Sequence, residues 1–127
     1  MPQAATKTGS PTFQPRFRIF YRDEVALGPG KVELLRAIRE TGSIRQAALQ
    51  IEMSYMRAWL LIRTMNRCFK EPIVSATRGG RGRGARLTPM GNLALDLYER
   101  LQAQSMAATQ KTRRQVEALL KPLSSAS

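Results

Sequence analysis

Three arginines, Arg57, Arg63 and Arg67, stand in a stretch whose apolar residues repeat at helical spacing. On a helical wheel Ala58, Ile62, Met65 and Phe69 fall on one face, and Met56, Arg57, Leu60, Arg63, Thr64 and Arg67 fall on the other. A guanidinium keeps its charge and presents five N–H donors in a fixed fork, so it can neutralise a phosphate or grip the edge of a base. A second group of arginines follows as Arg78-Gly79-Gly80-Arg81-Gly82-Arg83-Gly84, where glycine lets the backbone approach a partner closely. The chemistry these residues offer is the binding of a polyanion.

Catalysis has little to work with. There is no histidine, which removes the commonest general base and the commonest metal ligand together. The acids are scattered, and no glycine-rich loop follows a strand and opens a helix as a phosphate cradle would. The single cysteine, Cys68, excludes an intramolecular disulfide and a Cys-rich zinc site and fits a reducing cytoplasm. The expectation is a protein that is not an enzyme and takes neither metal nor cofactor.

The charge balance agrees. Lys and Arg number 21 against 9 Asp and Glu, a net +12. Such a chain seeks nucleic acid first and an anionic membrane surface second. Its longest run of large apolar residues, Trp59-Leu60-Leu61-Ile62, is far below the ~20 residues of a membrane span or the ~7 of a signal-peptide core. No membrane partner is expected, and the location expected is the cytoplasm. At 127 residues and 43% hydrophobic, the chain has room for one domain with a modest core.

The elements that must hold the arginines can be read in order. Residues 1–16, with three prolines and no periodicity, form a loose tail. Phe17 to Arg22 reads as a short strand with Phe17, Ile19 and Tyr21 on one side. After Gly28-Pro29-Gly30, Lys31 to Glu40 is a helix that Gly42 ends. Ser43 and Gln46 make a capping box for a second helix with Ile44, Ala47, Ala48 and Ile51 on its buried stripe. Only Glu52-Met53 separates it from the third helix, capped by Ser54. Two short helices joined by a tight turn, in a basic chain, read as a DNA-reading helix-turn-helix.

Trp59 lies at the boundary of the third helix's two faces and is read first as a wedge against the neighbouring helices, with base contact as the rival. Ile73 to Thr77 and Ala85 to Thr88 are strands around the Gly/Arg tip, and a hairpin in that position is a wing; a solvated loop or an RNA-binding segment is the other reading. Thr88-Pro89 starts a helix that nothing breaks before about Leu120. At roughly 30 residues it would span on the order of 45 Å, longer than so small a domain can cover, so a second subunit is expected on Leu93, Leu97, Leu101, Val116, Leu119 and Leu120. The expected fold is mainly α with a small β-hairpin wing: a winged helix-turn-helix over 17–88, a long dimerisation helix over 89–121 and a disordered end over 122–127.

These residues resemble a known family. Thr41-Gly42-Ser43-Ile44, Met53-Ser54-Tyr55 with Ala58-Trp59, Met65-Asn66, the glycine-rich wing and Leu87-Thr88-Pro89-Met90-Gly91 are similar to the N-terminal DNA-binding domain of ModE, the bacterial molybdate-responsive regulator related to LysR-type winged helices. The resemblance runs from about Arg18 to about Gln104. It implies a homodimer on double-stranded DNA, with Ser43, Ser54, Tyr55, Met56 and Arg57 at a palindromic operator and Arg81 and Arg83 in the wing. Arg45, Arg63, Arg67, Arg78 and Arg86 complete the set expected at DNA. Met56 departs from the lysine usual in the family. The molybdate-binding module of full-length ModE has no counterpart in this sequence, so a stand-alone domain is expected and molybdate binding is unsupported here.

The function expected is sequence-specific transcription regulation, with molybdenum-related genes as the targets the resemblance adds. The alternatives are a weakly specific architectural DNA coater, a helix-mediated protein adaptor and an RNA chaperone.

Overall fold

The computed structural model describes residues 11–77 and 84–122. They belong to two units, Arg16–Arg100 and a smaller one formed by Met1–Pro15 and Leu101–Ser127.

The larger unit begins with β1 (Ile19–Tyr21) and β2 (Glu24–Leu27), an antiparallel pair with Phe20 opposite Val25 and Tyr21 opposite Glu24. The strand expected over 17–22 is thus shorter, and it has a partner that periodicity does not reveal. The reason is visible in β2: Ala26 and Leu27 are both buried, so the strand has no in–out alternation. Ile19 and Tyr21, expected on one side with Phe17, are exposed, while Phe17 packs against the core.

Helix α1 (Pro29–Thr41) starts two residues before Lys31, because Pro29 sits at its first turn, where the fixed φ of proline suits a helix and its missing N–H is not needed. It ends where expected. Gly42 takes φ 72° and its N–H donates to the Ile38 carbonyl at 2.8 Å. Helix α2 (Ile44–Gln50) is capped by Ser43, whose hydroxyl oxygen accepts the Gln46 N–H at 3.1 Å. The Ser43 N–H, which a capping box would give to the Gln46 side chain, donates instead to Thr41 Oγ1 at 3.3 Å.

The turn after α2 is closed by two backbone bonds, Met53 N–H to Ala48 O at 2.8 Å and Glu52 N–H to Leu49 O at 3.2 Å. Helix α3 (Tyr55–Cys68) follows, with Ser54 accepting the Arg57 N–H at 3.0 Å. Ala58, Ile62 and Met65 are buried and Phe69 half-buried against the core, as their spacing requires. Leu34, Leu35, Ile38, Ile73 and Leu95 fill the centre of that core.

The hairpin of β3 (Val74–Thr77) and β4 (Gly84–Leu87) pairs Val74 with Leu87 and Thr77 with Gly84. Asn66 of α3 fixes its entry. The amide oxygen accepts the Ile73 N–H at 2.7 Å and the Val74 N–H at 3.3 Å. From the other side the Ala85 N–H donates to the Gly42 carbonyl at 2.9 Å, tying β4 to the corner between α1 and α2.

Helix α4 (Pro89–Ala108) is capped by Thr88, whose hydroxyl accepts the Gly91 N–H at 3.0 Å and donates to the Pro72 carbonyl at 2.7 Å. Tyr98 is buried on it and donates to the Phe17 carbonyl at 2.7 Å; burial pushes its phenol above the ordinary value.

In the smaller unit the helix expected to run unbroken to about Leu120 is interrupted. Helix α4 ends at Ala108 and α5 (Gln110–Glu117) begins past Thr109. Two side chains compete for the backbone there. Thr109 Oγ1 donates to the Ser105 carbonyl at 2.6 Å and the Arg113 guanidinium to the Met106 carbonyl at 2.8 Å. Arg113 also lies 5.1 Å from the centroid of the Phe13 ring. Residues 11–16 carry no secondary structure, and the remainder of the two expected tails, residues 1–10 and 123–127, lies outside the described residues.

Candidate nucleic-acid interface

With α3 docked through Ala58, Ile62 and Met65, its other face is left to solvent. Met56, Arg57, Leu60, Arg63 and Arg67 are all exposed, while Thr64 is half-buried with its hydroxyl donating to the Leu60 carbonyl at 3.0 Å. The sequence-predicted set therefore shares one side of one helix. Arg57 and Arg63 have no carboxylate partner among the described residues. Their charge is available.

Arg67 is different. It donates to Glu24 of β2 at 2.6 Å, a pairing no spacing in the sequence reveals because 43 residues separate the two. The Arg67 hydrogen bond holds the Glu24 carboxyl below the ordinary carboxylate value against an opposing push from burial. Beside it, burial and then the Glu24 hydrogen bond raise the Cys68 thiol, and burial lowers Lys31. A thiol raised in this way is a poor nucleophile.

The second helix contributes Arg45, whose guanidinium lies 4.7 Å from the centroid of the Tyr55 ring. Tyr55 in turn meets Trp59 edge to face, with centroids 6.3 Å apart and an interplanar angle of 87°. Trp59 is half-buried and packed against the core, the position of a wedge. Ser43 and Ser54 stand at the helix starts, each with its oxygen engaged by an N–H of its own helix and a hydroxyl hydrogen left to donate. Arg86 is exposed on β4 opposite Ser75. Arg78, Arg81 and Arg83 of the wing tip lie outside the described residues.

Sequence reasoning missed two positioning residues. Asn66 holds the start of the hairpin against α3, and Glu24 fixes Arg67. Asn66 stands in the sequence as a lone amide near the end of an otherwise basic and apolar helix and as part of the Met65-Asn66 pair of the resemblance, neither of which tells what it bonds. Among the described residues no three His, Cys, Asp or Glu side chains group as metal ligands, and no helix is long and apolar enough to cross a membrane.

Two short helices at a tight turn, a third behind them, and an antiparallel hairpin bonded to both define a winged helix-turn-helix domain. The fold matches that of the CbnR DNA-binding domain in its complex with DNA, with a TM-score of 0.56 over 68% of this chain and 95% of that one, at 16% identity.

In sequence the chain is similar to the molybdenum-pterin-binding protein MopB of Rhodobacter capsulatus, 38% identical over 86 residues, covering 67% of this chain and 32% of MopB. It is also similar to the molybdenum transport protein ModE of Azotobacter vinelandii, 39% identical over 84 residues, or 65% and 31% of the two chains. With the DNA-binding transcriptional dual regulator ModE of Escherichia coli it shares 38% identity over 74 residues, or 58% and 28%. The chain spans about a third of the length of these relatives. No protein-family model matches it.

Proposed function

We propose that this protein is a sequence-specific, DNA-binding transcription regulator of the ModE-like kind, acting in the cytoplasm as a homodimer on a palindromic operator. The observation that carries the reading is the outer face of α3: Arg57 and Arg63 exposed and without a carboxylate partner among the described residues, on a helix capped at its start and bonded to the start of the hairpin. Phosphate neutralisation supplies most of the affinity, and the α3 side chains supply the choice of sequence. The transcription-regulator relatives and the DNA-bound fold relative support it. The relatives' names point to molybdenum-related genes as targets; no molybdate site is proposed in the third of their length that this chain matches.

Selection of bound sequences from random duplex DNA tests the reading. A palindromic consensus is expected. Competition with random duplex then separates the roles: Arg57→Ala relaxes sequence preference, and Arg83→Ala in the wing weakens all duplexes alike. Recovery of no consensus at all, with tight binding throughout, identifies an architectural DNA coater instead. The net charge of +12 is what that second reading rests on.

A further inference from the structure

The side of α3 turned from the core carries two large apolar side chains. Met56 is 72% exposed and Leu60 53%. At 3.6 residues per turn they stand about 40° apart around the helix and about 6 Å apart along it. Arg57 and Arg63, both exposed, flank them. The helix is already closed onto its unit by Ala58, Ile62 and Met65, so packing within the fold does not explain the pair. An apolar ridge with arginines beside it, on a protein of net charge +12, fits a partner that is apolar at one spot and anionic around it.

The major groove is such a surface. Phosphates line it, and the thymine C5-methyl is the apolar group that thymine adds to its edge. Leucine has no hydrogen-bonding group and methionine only a weak acceptor, so neither can replace the water on the polar edges of a G·C pair. Burying those edges against them costs free energy; burying a methyl gains it.

We infer that Met56 and Leu60 determine specificity by packing on the C5-methyl groups of two nearby thymines in each half-site. This rests on the DNA-binding reading above. Base pairs stack about 3.4 Å apart, so a separation of about 6 Å fits thymines one or two steps apart.

The test uses the full chain and the duplex recovered by random selection. Each thymine is replaced in turn by deoxyuridine, which removes the methyl and keeps every hydrogen-bonding group. At two positions per half-site binding weakens about fourfold, with the slope of log K against log salt unchanged. Met56→Ala and Leu60→Ala each erase the sensitivity at one position. Both residues are exposed, so the melting temperature serves as a control and stays put.

If wild-type protein binds the selected duplex and every deoxyuridine is silent, the methyl contact is overturned while DNA reading stands. Sensitivity that survives in both variants assigns the methyls to other residues and also overturns the inference. If no duplex is preferred, the DNA-binding reading fails first and takes this one with it.

Discussion

Arg45 and Tyr55 belong to different helices, and the guanidinium over the ring is a direct side-chain link between α2 and the start of α3. An exposed cation–π contact contributes about 0.5–1 kcal/mol, and here it also narrows where a mobile cation can sit. If Arg45 reaches a phosphate from that position, Tyr55 acts through it. A double-mutant cycle of Arg45→Ala and Tyr55→Leu on duplex binding is then expected to show a coupling of about 0.5–1 kcal/mol, whereas additivity within about 0.3 kcal/mol would remove the ring from that role. Glu24 accepts a hydrogen bond from Arg67 at 2.6 Å. Its carboxyl titrates lower in the fold than in the unfolded chain, chiefly through the Arg67 hydrogen bond. The stability it contributes is complete above the ordinary carboxylate value and drains away as pH falls through the lowered one. The gap in urea midpoint between wild type and Glu24→Gln should therefore be widest near neutral pH and close as acid carries the pH from the ordinary carboxylate value down through the lowered one. A gap that is constant down to pH 3 would mean that the pair contributes nothing to stability.

At the scale of elements, the turn between α2 and α3 and the seat of α4 invite opposite substitutions. Glu52 holds φ 57° in the turn, a conformation glycine adopts without strain. Glu52→Gly should raise stability by up to about 1 kcal/mol, since relief of left-handed strain is partly offset by the greater freedom of glycine in the unfolded chain. Gly91 is the reverse case. A Cβ there would fall on the Ile73 carbonyl oxygen, where the Thr88 N–H also donates, so Gly91→Ala should cost about 1–3 kcal/mol as α4 is pushed off its seat. Thermal or urea unfolding of both variants, read side by side, checks the pair; equal shifts of the same sign would refute it. The same elements show what a sequence can disclose. The capping bonds of Gly42, Ser43, Ser54 and Thr88 reach groups within four residues, and each ends or starts its helix where its type demands. The outer face of α3 was legible for the same reason, because helical spacing alone sorts Met56, Leu60 and Arg63 from Ala58 and Ile62. What stayed hidden depends on partners far along the chain or on competition between local bonds. Glu24 meets Arg67 across 43 residues, and nothing in the string from Thr88 to Leu120 shows that Thr109 and Arg113 take carbonyls at the helix break.

For the whole molecule, charge and association divide the work of binding. On the proposed DNA-binding function, a net +12 draws the protein to any duplex and makes affinity fall steeply with salt, at a slope near −0.9 per phosphate neutralised, but it cannot choose a site. Choice over a palindrome requires two copies of α3 held together, and the candidate seam is on α4. Leu93, Leu97 and Leu101 recur every fourth residue and remain 54%, 43% and 40% exposed. Leaving three leucines in water on one helix face is unfavourable unless a second chain covers them. The proposed homodimer therefore predicts a clean separation of folding from assembly. Leu97→Lys places a charge in the seam without touching the buried Ala94, Leu95 or Tyr98, so its unfolding at low protein concentration should match wild type within about 0.5 kcal/mol. Its mass in solution should fall to that of one chain, and its affinity for the selected palindrome should drop by about 10²–10⁴-fold while affinity for a single half-site is kept, because only the linkage between sites is lost. Sedimentation and half-site titration together decide it. A Leu97→Lys protein that stays dimeric and binds the palindrome as before would place the partner on another face.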